Sequence, residues 1–169
     1  DERPTRARHL AEVLQRHRVE IFMLDEDVSV GDNDFAAGGA YVIPMDQPQA
    51  RFVQAVMEKN RTYEDSLFYD VSTWTLPLAF DVLYGEYTGS SDLRGAAFDL
   101  AGSTSGAVVG GQADYAYVMP WDRYFAPRAL YQLMEAGVSV RVARKPFTNR
   151  SGGRDVDFER GAVIILLQP

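Results

Sequence analysis

The amino-acid sequence predicts an α/β fold, a layered sheet-and-helix domain built from a duplicated helix-strand-strand unit with an aromatic-rich helical insert between the copies. Three observations carry that prediction. Residues 7–48 and 126–169 answer to each other as pseudo-repeats. Each passes from a helical apolar period to an alternating strand, a polar excursion and a second apolar strand. The runs AYVIPM and AVIILLQ are continuously apolar, which suits central strands covered on both faces. Finally, 169 residues fit a single domain, residues 1–169, large enough to bury roughly two-thirds of its unfolded surface. Helices alternating with apolar strands then require a sheet flanked by helices.

Taken in order, Ala7, Leu10, Ala11 and Leu14 fall at i, i+3, i+4 and i+7, one face of a helix. Val19–Met23 alternates as a strand. An acidic stretch, the pair Asp34-Phe35, glycines and a second strand follow, closing on Gln47-Pro48. PQARFVQAVMEKN is an amphipathic helix with Phe52, Val53, Val56 and Met57 inward and Pro48 near its start. SLFYDVSTWTLPLAF is the stretch densest in aromatics, and Pro77 restricts it to a short helix with the proline in its first turn, or a buried turn. LAGSTSGAVVGGQAD reads as a loop, or as a loop flanking a short edge strand at Ala107–Val109. Tyr115–Met119 reads as a strand. In the second repeat Pro127 opens a helix whose face is Leu130, Leu133 and Met134, and Gly137 ends it. Val138–Val142 is its strand, and Asp157-Phe158, a glycine and the run to Gln168-Pro169 repeat the closing pattern of the first copy.

Composition narrows the function classes. A hydrophobic fraction of 46% with 12% aromatics belongs to a globular chain. A net charge of -7 argues against nucleic acid and anionic membrane surfaces, which require clustered Lys and Arg. No apolar run approaches the ~18–20 residues of a membrane-spanning helix. With no cysteine, disulfides, thiolate zinc sites and cysteine nucleophiles are all excluded. The opening DERPTRARHL has no apolar signal-peptide core, and the sequence stops directly after AVIILLQP. Both ends therefore read as boundaries within a longer protein.

Chemistry-bearing motifs are incomplete. His9 and Glu12 spell H-x-x-E, a zinc pair in several hydrolases, but zinc needs a third protein ligand. His17 is the other histidine, and on a helix it lies roughly 140° around from Glu12. Asp25-x-Asp27-x-Ser29 opens like a calcium loop, yet position 6 is Val30 and position 12 is Ala36, where the loop needs Gly and Glu. An acidic hairpin fits better. Gly102–Gly106 lacks the lysine and following helix of a phosphate loop. Both histidines sit in one helix and no G-x-S-x-G elbow exists, so serine-nucleophile chemistry has no frame.

The runs AGGAYVIPMDQPQARFVQAVMEKN and DSLFYDVSTWTLPLAF resemble the bacterial zinc carboxypeptidase family, specifically long members in which further α/β domains follow the peptidase domain. ADYAYVMPWDRYFAPRALYQLMEAGVSVRVA with DFERGAVIILLQP is similar to the continuation of that region. The resemblance implies a parent that hydrolyses peptides with zinc-activated water. It carries no catalytic residue onto this chain, because His9 and Glu12 match in letters but lie on a helix with no third ligand.

The leading expectation is a non-catalytic accessory domain. It would pack on the catalytic domain of the same parent chain or form a homo-oligomer, with no cofactor of its own and zinc only in the parent's peptidase domain. Neither nucleic-acid binding nor membrane insertion is expected. The alternative is a small-molecule or peptide-binding module using the aromatic segment 67–84, with Gln47, Tyr69, Asp70 and Trp74 lining the pocket.

Overall fold

A computed structural model describes residues 4–58, 75–102 and 106–167. The chain is mixed α/β, with helices and several small antiparallel sheets in place of one layered sheet. It divides into two compact units, Asp1–Gly102 and Ser103–Pro169.

The first unit opens with helix α1 (Pro4–Arg16). Its apolar period buries Leu10, Ala11 and Leu14, with Leu14 fully removed from solvent. The helix stops where Arg18 turns left-handed at φ 64, which lets the Val19 amide donate back to the Leu14 carbonyl at 3.2 Å. Strand β1 (Phe22–Leu24) follows, then a hairpin of β2 (Val28–Val30) and β3 (Asn33–Phe35), then β4 (Tyr41–Val42). Gly31, at φ 60, takes the first place of the two-residue hairpin turn, a conformation that glycine adopts without a Cβ penalty.

Helix α2 (Ala50–Met57) buries Val53 and Val56 as its period requires, and Phe52 and Met57 pack at the margin of the same core. Helix α3 (Leu76–Phe80) carries Pro77 in its first turn, buried, where the missing N–H is harmless. Strand β5 (Arg94–Ala97) completes a sheet of order β4-β1-β5, all antiparallel, with an irregularity in the β1–β5 register. Among the described residues AYVIPM is thus an edge strand of two paired residues and not a central one, and Pro44 in that run has no N–H to extend a ladder.

The second unit consists of β6 (Ala116–Met119), helix α4 (Ala126–Glu135), β7 (Val140–Val142), a hairpin of β8 (Phe147–Ser151) and β9 (Arg154–Phe158), and β10 (Val163–Leu166). The sheet order is β6-β10-β7, again antiparallel. AVIILLQ does supply a central strand, and Val163 is wholly buried. Residues 106–109 form no strand. The Gly-Arg-rich excursion is a regular hairpin, because Gly152 and Gly153 both take positive φ (57 and 81), as a two-residue turn of type I′ demands.

The order helix, strand, hairpin, strand occurs in both units, and its hydrogen bonds match. In the second, Gly137 is left-handed at φ 73 and the Val138 amide returns to the Leu133 carbonyl at 3.0 Å. Leu24 N–H donates to the Ala40 carbonyl and Gly38 N–H to the Leu24 carbonyl. Ala143 N–H donates to the Ala162 carbonyl and Gly161 N–H to the Ala143 carbonyl, a similar pair with adjacent partners where those of Leu24 lie two residues apart. Counted from these bonds along the sequence, the positions of Leu10, Ala11, Leu14 and Met23 within their unit correspond to those of Ala129, Leu130, Leu133 and Val142 in the other, and such positions are called level below.

Candidate functional site

The H-x-x-E pair is engaged within its own helix. His9 Nδ1 and Glu12 Oε2 are hydrogen-bonded to each other at 2.9 Å on the part-buried side of α1. The other Glu12 oxygen accepts an ion pair from Arg8 Nε at 3.3 Å. Arg8 then extends over the Phe98 ring, 5.0 Å from its centroid, and donates to the carbonyls of Asp99 at 3.0 Å, Leu100 at 3.2 Å and Gly102. One guanidinium so ties α1 to the loop after β5. His17, just past the end of α1, packs against the Phe52 ring at 4.9 Å with the ring planes tilted by 36°. Among the described residues, no group of three His, Asp or Glu side chains could hold a metal ion.

The Tyr41 phenol lies beside this cluster. Burial pushes it above its ordinary value, and Arg8 partly opposes the shift by charge and hydrogen bonding. The calcium-like run forms the acidic hairpin instead: Asp27 Oδ1 accepts the Ala37 amide at 2.8 Å, and Ser29 Oγ donates to Asp34 Oδ1 at 2.5 Å.

Of the four residues assigned to a ligand pocket, Tyr69, Asp70 and Trp74 lie outside the described residues. Gln47 is buried, and its amide is already engaged. Its Oε1 accepts the Glu20 N–H at 2.8 Å, and its Nε2 donates to the Glu20 carbonyl at 3.1 Å and the Pro44 carbonyl at 2.6 Å. That amide therefore imitates a strand partner for Glu20. Two shallow open depressions, of ≈ 270 Å³ at Gln15, Glu20 and Ala97 and of ≈ 280 Å³ at Pro146, Thr148 and Asp157, do not include it.

The feature with chemical consequence is a difference in cover between the units. In the first, residues of α2, α3 and Phe98 pack with α1, and Leu10, Ala11 and Leu14 are buried. The level positions Ala129, Leu130 and Leu133 are only half-buried, and of α4 Ala126 alone is buried. Tyr131 and Met134 on α4 remain 64% and 60% exposed, and Val142 on β7 remains 56% exposed. β1 is flanked on both edges, whereas β7 pairs only with β10 among the described residues. Sequence reasoning missed both β5 and this open edge, because a sheet edge depends on strand order and not on local pattern.

No protein-family model matches the chain, and no curated protein or solved structure is significantly similar to it.

Proposed function

We propose that this chain is a non-catalytic accessory domain that works by docking, as part of a larger zinc carboxypeptidase-like protein of the secreted or periplasmic space. The observation that carries the docking role is the half-covered apolar face of α4 and β7, set against the buried level positions of α1. Apolar side chains left partly wet in one unit and buried in the other favour a partner surface. The matched helix ends and strand hydrogen bonds support a duplicated helix-strand-strand unit, with the segment between the copies acting as cover for the first. The peptidase parent rests on the sequence runs around AYVIPMDQP and AYVMPWDRYF.

In this reading the chain brings no chemistry of its own. His9 and Glu12 are a helix-surface hydrogen bond, and Arg8 anchors a loop. The test is the metal content of the purified chain, with a carboxypeptidase assay run with and without zinc. No stoichiometric zinc and no turnover are expected. One tightly held zinc per chain, or hydrolysis abolished by His9→Ala, would overturn the proposal.

A further inference from the structure

We infer that the outer edge of β7 is a strand-addition site for an extended, acid-flanked peptide segment with small residues at its centre and a closing aromatic residue, presented antiparallel by the protein that this domain serves. The inference rests on the docking role above and names its surface and the chemistry of its partner.

The backbone register defines the edge. Ala143 N–H bonds to the Ala162 carbonyl and Leu166 N–H to the Ser139 carbonyl, so residues 139, 141 and 143 point their backbone groups toward β10. Val140 and Val142 consequently point theirs outward, two residues apart, as an added strand requires. Val142 is 56% exposed.

The first unit shows what such an edge accepts. There Met23, level with Val142, lies between β4 and β5, and the antiparallel β5 is bracketed by Asp92 and Asp99. The next residue after β5, Phe98, is buried with Leu10, Ala11 and Leu14, the counterparts of half-buried Ala129, Leu130 and Leu133.

Charge selects the partner. Arg141 lies in β7 and Arg144 and Lys145 follow it in the sequence, and none of them makes an ion pair with any described residue, in a chain whose net charge is -7. A second copy is disfavoured at this edge, since pairing Val140 with Val142 of the copy sets Arg141 directly against its own equivalent, a like-charge pair.

The probe is a fluorescein-labelled peptide of the chain's own sequence Ser91–Leu100, SDLRGAAFDL, titrated into the full chain. Saturable binding is expected, with amide-exchange protection gained at Val140 and Val142. Affinity should fall about tenfold with Arg141→Glu, or when both peptide aspartates become lysine. Val142→Pro, which removes an outward N–H that β10 does not use, should abolish binding while leaving far-ultraviolet dichroism unchanged. Absence of binding overturns the inference, and so does binding indifferent to Arg141→Glu and Val142→Pro. A concentration-dependent dimer that these substitutions dissolve overturns it in favour of a second copy. None of these failures touches the metal and turnover tests of the accessory role, which stand or fall separately.

Discussion

Arg8 joins α1 to the loop after β5 through several contacts at once. Three carbonyls, Glu12 and the Phe98 ring share one guanidinium, whose planar fork and permanent charge suit several acceptors at once. Its neighbour Tyr41 gives this arrangement a pH signature. Burial is the larger influence on the Tyr41 phenol and raises its titration above the ordinary value of about 10, with Arg8 opposing. The folded state thus holds the proton more tightly than the unfolded chain. That contribution to stability is fully present below pH ~10 and is lost as pH rises through the folded value. Urea midpoints from pH 8 to 11 should therefore fall more steeply for the natural chain than for Tyr41→Phe. Parallel slopes would mean that the phenol is not protected by folding. Gln47 makes the complementary point about polar groups in this unit: a buried amide that looks available for a ligand is fully occupied by Glu20 and Pro44.

Helix α1 and helix α4 end by the same device, a left-handed residue and an amide returned to a leucine carbonyl, yet they differ in what covers them. Leu14 is fully buried, so Leu14→Ala should destabilise the first unit by about 2–5 kcal/mol through lost transfer energy and a cavity. Leu133 occupies the level position but is half-buried, and Leu133→Ala should cost the second unit roughly half as much or less. Urea titrations read by dichroism decide the matter, and equal losses would contradict the difference in cover. The helices were legible from sequence because period, Pro77, Pro127 and Gly137 are local signals. β5 was not, since Arg-Gly-Ala-Ala carries no β-branched or aromatic residue and is a strand only because β1 offers it an edge. AYVIPM and AVIILLQ look alike in composition, and only strand order makes one an edge and the other a centre. The edge of β7 is illegible in the sequence for the same reason: Val-Arg-Val reads as an ordinary alternating strand, and its open side depends on which strands pair elsewhere.

At the scale of the whole chain, the two units carry unequal cores. The main buried cluster of the first joins Leu10, Leu14, Ile21, Val53, Val56 and Phe98 with partly buried neighbours from α2 and α3. That of the second is built on Ala143, Phe158 and Ala162, two of them alanines with little surface to remove from water, with partly buried Val118, Phe147, Val156 and Ile164 around them. A small unit with so slight a cluster stands near the lower limit of independent stability. Urea should accordingly unfold Ser103–Pro169 before Asp1–Gly102, giving two separated transitions. Trp121 reports on the second unit once Trp74, the other tryptophan, is replaced by phenylalanine, and its fluorescence change should come first. A peptide bound at β7 stabilises only the state that binds it, so at a hundredfold excess over its dissociation constant it should raise the stability of that first transition by about 2.7 kcal/mol and leave the second in place. A single transition in which Trp121 fluorescence and total dichroism coincide would mean that the units unfold as one, and the half-covered face of α4 would then need no partner to account for its stability.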